Sequence, residues 1–181
     1  MQKRSHKLLA SALLASVAGF HARRYELAFL LGSFQPDCNP LTYLKGSLRA
    51  RRFGGHNFSN SRPFVLAHLR HLEQKKQWNL WNYYTFGKLT HYVADAFTYP
   101  HNEIYGDSLA AHHVYERNLR CQLIEYLQSH TIPDHPLDTA YLIEALEALH
   151  LQYVSGQSSD LRRDVRYIVQ ATGLLMNCCP A

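Results

Sequence analysis

Apolar residues recur every three or four positions along most of this chain of 181 residues, the spacing that places them on one face of a helix. Leu9, Leu13, Val17 and Phe20 form the first such stripe, and no segment shows the clear alternation of a half-buried strand. The pattern predicts an all-α fold, a multi-helix bundle in which residues 1–181 form a single domain. The predicted helices are 5–32 with a break near Gly19, 61–75, 77–98, 108–129, 137–154 and 159–176.

A long irregular loop is predicted between the first and second thirds of the chain. Gly32 and Pro36 predict that the first helical region ends at GSFQPDCNP, and the Gly, Asn and Ser content of GSLRARRFGGHNFSNSRP argues against regular structure. A loop of this length in a compact helical domain is usually functional. Asp37 and His56 lie in this segment, where an irregular backbone can bring metal ligands close to others that lie on the helices.

Five side chains of the types that bind metals cluster between residues 91 and 116: His91, Asp95, His101, His112 and Glu116. The first two are four residues apart, as are the last two, so each pair shares one face of its predicted helix. His101 follows Pro100, which predicts the end of the helix that carries the first pair. Imidazole and carboxylate together suit zinc and similar divalent ions. The cluster therefore predicts a metal centre.

A simpler interpretation of His91 and Asp95 is an ion pair within one helix, and for that pair alone it is the better one. An aspartate among so many apolar neighbours is costly unless it is paired or bound to a metal, and the three further ligand types favour the metal. The adjacent His113 points about 100° away from His112 around the helix, and the residue four positions after it is Arg117. We therefore assign His112 as a ligand and His113 to the surface or to a supporting role.

The composition suggests neither disorder nor a membrane protein, since 46% of the residues are hydrophobic and 18% are charged. The net charge of +5 is modest for a nucleic-acid binder. RARR at 49–52 is the compact basic run; it is typical of a solvated surface, and the alternative is that Arg49, Arg51 and Arg52 contact a phosphate. The cysteines lack CxxC spacing, which indicates reduced thiols in a cytosolic protein: Cys38, Cys121, Cys178 and Cys179.

The N-terminal segment has two interpretations. MQKRSHK followed by LLASALLASVAGF imitates a signal peptide, with a basic start, a short apolar run and small residues near Ala18. The same residues also form an amphipathic helix. No run in the sequence reaches the length that spans a bilayer.

Four segments resemble the bacterial zinc-dependent phospholipases C, whose trinuclear zinc site is shared in outline by fungal zinc nucleases. They are SHKLLA, LGSFQPD, GKLTHYVADAFTYPHN and HHVYERNL, and the resemblance extends over about residues 5–127. Its most specific part is the spacing His-x3-Asp-x5-His followed by His-x3-Glu.

The resemblance implies three metal positions. One is held by Asp37, His56, His91 and a bridging oxygen of Asp95. A second uses the three remaining ligands of the cluster: His101, His112 and Glu116. The third uses His6 and the other oxygen of Asp95.

The third position departs from the family pattern. In the secreted members, the amine and carbonyl of an N-terminal Trp complete it, whereas this chain has no matching Trp and His6 follows Met1 too closely to copy that arrangement. The position is then absent, weak, or completed by water or by the free amino terminus. Zn²⁺ is therefore expected as two or three ions.

The resemblance implies a zinc-dependent phosphodiester hydrolase of the phospholipase C type, in which metals activate a water and Asp37 doubles as the general base. The expected partners are a phospholipid or another phosphodiester and, weakly, a membrane surface. The alternatives are a zinc-dependent single-strand nuclease and a non-catalytic helical zinc-binding protein. Because cleavage after Ala18 would discard His6, the resemblance favours an uncleaved, cytoplasmic protein.

The C-terminal third shows no ligand cluster. Its stripe of Ile143, Leu146, Leu149 and Tyr153 has helical spacing, so we predict that this part contributes to packing.

Overall fold

The computed structural model describes residues 1–38, 58–102, 109–132, 141–156, 160–176 and 179. In this part of the chain it contains seven α-helices and one 3₁₀ turn: α1 Lys3–Ser16, α2 Arg23–Cys38, α3 Phe58–Glu73, α4 Leu80–Ala96, the turn Tyr99–His101, α5 Leu109–Ser129, α6 Leu142–Ser155 and α7 Leu161–Met176. The all-α prediction is confirmed. None of the helices described is long and apolar enough to cross a bilayer. The single domain over the whole chain stays a prediction.

The predicted break near Gly19 separates α1 from α2. Ala18 and Gly19 both have positive φ angles, of 56° and 81°, and the Gly19 N–H donates to the Leu14 carbonyl at 2.8 Å. Glycine adopts this left-handed conformation without the steric cost that a side chain would add, which is why it commonly ends a helix. The chain reverses here and starts α2 at Arg23.

The predicted loop at GSFQPDCNP is wrong for residues 32–38, because α2 continues through both Gly32 and Pro36 as far as Cys38. Pro36 is buried two residues before the helix ends, where little helix remains to be disrupted. Gly32 is buried as well, against α4. Packing against another helix thus overrides the local breaking signals. The loop prediction is also wrong for residues 58–60, because α3 begins at Phe58. The rest of the predicted loop, residues 39–57, lies outside the described residues.

Helices α2 and α4 run parallel in close contact. Along them, Tyr25 stacks on Tyr83 with ring centroids 4.6 Å apart, and Phe29 lies 5.5 Å from Phe86. A Cβ atom on Gly87 would stand only 2.1 Å from the Phe29 carbonyl oxygen. Two facing glycines, Gly32 and Gly87, therefore let the two backbones touch. The C-terminal ends of both helices consequently meet.

Helix α4 begins with a reciprocal cap and ends just before the turn Tyr99–His101. The Asn79 side chain accepts from the Asn82 N–H, and the Asn82 side chain accepts from the Asn79 N–H, each at 3.0 Å. At the other end the Thr98 hydroxyl donates to the Asp95 carbonyl at 2.8 Å. Pro100 lies in the turn, where its missing N–H is harmless. The predicted helix end near Pro100 is confirmed.

Helix α6 contributes to the core as predicted, since Leu146, Leu149 and Tyr153 are buried and Ile143 is partly buried. The same helix also fixes the turn. The Asn102 amide donates to the carbonyls of Ala96 and Thr98, which turns its Oδ1 toward His150 on α6. The His150 Nε2–H therefore donates to this oxygen, at 3.1 Å.

The Gly87→Ala variant tests the backbone contact between α2 and α4. Its Cβ would overlap backbone atoms, which cannot rotate away, so we expect a loss of at least about 2 kcal/mol in the free energy of unfolding. Gly156→Ala is the control, because the atoms nearest to its Cβ would belong to the end of the Arg163 side chain rather than to backbone. Urea unfolding of both variants measures the difference, and equal losses would contradict the packing argument.

The His150 side chain should make stability depend on pH. Burial lowers the pKa of His150 from 6.5 to about 4. As the pH falls below about 6.5, His150 is therefore protonated in the unfolded chain before it is protonated in the folded protein. The stability that neutral His150 contributes above that pH is lost as the pH falls toward 4. We expect the difference in unfolding free energy between wild type and His150→Gln to shrink over this range. Urea titrations from pH 7.5 to 4.5 measure it, with the exposed His71→Gln as control; a difference that does not change with pH would contradict the assignment.

Candidate metal centre

Three buried side chains from α1 and α4 converge at one point: His6, His91 and Asp95. One potential ligand atom of each lies within 4.8 Å of the others. The Nε2 of His6 is 3.2 Å from Asp95 Oδ1, and the Nε2 of His91 is 3.3 Å from Asp95 Oδ2. The two imidazole rings stack with centroids 3.8 Å apart. Each oxygen of one carboxylate thus faces its own histidine.

Asp37 joins this group from the last turn of α2, a helix position where the sequence predicted a loop. Its Oδ1 lies 3.7 Å from His91 Nε2, and its Oδ2 lies 3.9 Å from His6 Nε2. The parallel packing of α2 and α4 brings it there, because both helices end at this point. Asp37 is the most exposed member of the group, at 15% of its side chain.

A second group comes from the turn and α5. The Nε2 of His112 lies 3.1 Å from Glu116 Oε1, one helical turn away. The ring of His101 is 5.7 Å from that of His112, nearly perpendicular to it. The Nε2 of His101 also lies 4.0 Å from Asp95 Oδ2, so the two groups are neighbours.

The α-amine of Met1 lies between the two groups. It donates to Asp95 Oδ1 at 2.5 Å and stands 3.8 Å from Glu116 Oε1. Because α1 starts only at Lys3 and Gln2 is extended, the chain can bring both this amine and His6 to the same oxygen of Asp95. The short spacing between Met1 and His6 therefore does not keep the amine away from Asp95.

Two contacts orient the histidines from behind. The Nδ1 of His91 lies 3.0 Å from the Ser33 carbonyl, so this nitrogen carries the proton and Nε2 offers a lone pair. The Nδ1 of His101 lies 2.6 Å from the Thr98 hydroxyl. Since that hydroxyl already donates to the Asp95 carbonyl, the His101 Nδ1–H donates to it. Metal-binding histidines are typically held in this way. No spacing pattern in the sequence marks either of these two contacts.

Burial and neighbouring charges shift the pKa values of the three carboxylates in different directions. Burial disfavours the charged form of Asp95, but the Met1 ammonium and the surrounding histidines outweigh it and hold its pKa well below the usual value. Burial likewise opposes ionisation of Glu116, and the hydrogen bond from His112 and the ammonium lower its pKa overall. For Asp37, burial and the nearby Asp95 raise the pKa to about 6 against the opposing effect of His6. Asp95 is therefore the firmly anionic centre.

The residues present fit zinc. Ligand atoms that bind one zinc ion at about 2.1 Å stand roughly 3.4 Å apart in a tetrahedron, close to the two distances from Asp95 to His6 and His91. The buried Nε2 of His6 and Oδ2 of Asp37 make no hydrogen bond within the described part of the chain. Such atoms are costly when nothing binds them. Mixed imidazole and carboxylate donors suit this metal.

The remaining predicted site residues fall outside the described part of the chain: the ligand His56 and the phosphate-contacting Arg49, Arg51 and Arg52. Their roles stay predictions, as do the assignments of individual ligands to individual ions. The structure does bring together seven of the eight predicted ligands, those outside residues 39–57, and it adds the Met1 amine.

Comparison with known proteins identifies one family. The model of the zinc-dependent phospholipase C family matches residues 5–160. No curated protein and no solved structure matches the chain significantly. The match covers α1 to α6 and ends just before α7.

Two adjacent histidines provide a matched test of the metal ligands. His112 Nε2 lies 3.1 Å from Glu116 Oε1. His113 Nδ1 lies 3.9 Å from Glu116 Oε2, and 78% of the His113 side chain is exposed. We expect His112→Gln to lower zinc affinity by at least about tenfold and His113→Gln to leave it unchanged. Metal analysis after equilibration with a competing chelator measures both. Equal zinc binding by the two variants would contradict the assignment of His112.

Proposed function

The chain belongs to the zinc-dependent phospholipase C family, and on that premise we propose that it hydrolyses a phosphodiester bond, most specifically the head-group bond of a phospholipid. The observation that carries the proposal is the buried group of His6, His91 and Asp95. It combines the donor types of a catalytic zinc site with a geometry that suits the ion.

We propose that Asp95 bridges two metal positions, with Oδ2 beside His91 and Oδ1 beside His6. The Met1 amine beside Oδ1 supports the amino terminus as the group that completes the second of these positions. His101, His112 and Glu116 form a further position, which makes three ions the full complement. Bound zinc ions neutralise phosphate oxygens and provide a nucleophilic water at neutral pH.

Asp37 is proposed as the general base. It stands at the edge of the group, and its Oδ2 makes no hydrogen bond within the described residues. An oxygen in this position can accept a proton from a nucleophile that approaches His6 and His91. In this role Asp37 accepts a proton at the edge of the site, whereas the buried Asp95 serves as a metal ligand between His6 and His91.

The proposed substrate contacts come from Arg49, Arg51 and Arg52, with a weak contact to the membrane surface; both rest on the sequence. A cytoplasmic location also stays a prediction. Cleavage after Ala18 would remove His6 together with Leu9 and Leu13, which are buried in the core.

Substitution of Asp95 tests the proposal directly. Asp95→Asn keeps the shape but removes the charge that faces two histidines, so we expect at least about a 100-fold loss of phosphodiesterase activity. His113→Gln is the control and should keep wild-type activity. The assay follows release of the phosphorylated head group from phosphatidylcholine vesicles by zinc-loaded protein. Full activity in Asp95→Asn would contradict the bridging role.

The substrate class is tested in the same preparation. We expect phosphatidylcholine to be cleaved and single-stranded DNA to be left intact. Faster cleavage of the DNA would replace the lipid with a nucleic acid as substrate. Bound zinc without hydrolysis of either would contradict the enzymatic proposal and favour a zinc-binding protein without catalysis.

A further inference from the structure

A second buried carboxylate lies outside the proposed ligand set. Asp164 is fully buried on α7 and accepts three hydrogen bonds. Its Oδ2 accepts from the Tyr99 N–H at 3.2 Å and from the Tyr115 hydroxyl. Its Oδ1 accepts from the Tyr153 hydroxyl at 2.7 Å. A buried carboxylate is tolerated when donors surround it, and hydrogen bonds to its charge are strong, so they hold the donors firmly in place.

The donors on Oδ2 come from the two elements that carry the second group of ligands. Tyr99 begins the 3₁₀ turn that ends with His101. Tyr115 precedes Glu116 on α5. The Tyr99 N–H also donates to the Tyr115 hydroxyl at 3.2 Å, so turn and helix are linked to each other as well as to the carboxylate. One oxygen of Asp164 therefore sets the turn against α5.

The third donor differs from these two. Tyr153 lies on α6, which carries none of the proposed ligands. Its hydroxyl binds the other oxygen of the same carboxylate. Tyr115 and Tyr153 are thus two phenols bonded to one acid, and of the two only Tyr115 is next to a proposed ligand in the chain, Glu116.

We propose that Asp164 is a positioning residue that fixes His101 relative to the pair His112 and Glu116, and so raises the zinc affinity of that group. The proposal rests on the proposed metal centre. It extends the site to α7, which follows the segment matched by the family. It also gives the C-terminal third a role beyond the packing that the sequence predicted.

Three conservative variants test this in the full chain: Asp164→Asn, Tyr115→Phe and Tyr153→Phe. Zinc affinity is measured by competition with a chromogenic chelator, and the visible spectrum of the Co²⁺-substituted protein reports ligand geometry. Thermal unfolding of the metal-free protein measures stability separately. We expect Tyr115→Phe and Asp164→Asn to weaken binding of one ion by about tenfold and to alter the Co²⁺ spectrum.

Tyr153→Phe is the matched control. It removes one hydroxyl from the same carboxylate, so it should lower the melting temperature of the metal-free protein while zinc affinity stays within about twofold of wild type. If all three variants bind zinc like wild type, or if the two Phe variants lose affinity equally, Asp164 has only a structural role and the proposal is overturned. If the wild-type protein itself binds no zinc, the metal centre is wrong and this proposal fails with it.

Discussion

The burial of the Asp95 carboxylate is the constraint on which the arrangement of the site depends. An ionised carboxylate inside a protein costs several kcal/mol unless opposite charges and hydrogen-bond donors surround it. Here the compensation comes from different elements: the Met1 amine and His6 at the start of the chain, His91 on α4 itself, and His101 from the turn. Helix packing that joins α1, α4 and the turn is therefore required for the charge to be tolerated.

The contact between α2 and α4 positions the acidic edge of the site. Because Gly32 and Gly87 let the backbones touch, the Ser33 carbonyl comes within 3.0 Å of His91 Nδ1, and Asp37 follows one turn later. A wider separation would remove both the orienting bond and the second carboxylate. Gly32, which suggests a helix end in the sequence, is thus one of the two glycines that permit α2 and α4 to approach each other.

The sequence predicts the parts of the site that have local spacing. The pairs His91–Asp95 and His112–Glu116 follow from the helical repeat, and the helix end near Pro100 follows from proline stereochemistry. The helical state of Asp37 could not be predicted, because tertiary packing overrides Gly32 and Pro36. The bonds from Tyr115 and Tyr99 to Asp164 join residues 49 and 65 positions apart, and no periodicity marks such contacts.

The exposure of the ligand side chains differs from one side of the site to the other. Among the described residues, His6, His91 and Asp95 have side chains exposed by 2% or less, whereas His112 is exposed by 26% and Asp37 by 15%. Within the described residues, the ligands from α1 and α4 are therefore more enclosed than Asp37 at the end of α2 and His112 near the start of α5. In a structural zinc site protein ligands fill all four coordination positions, whereas a catalytic site leaves one for water or substrate. The proposed hydrolysis needs water and a phosphate to reach the metal ligands, and the partial exposure of Asp37 and His112 is in keeping with that need.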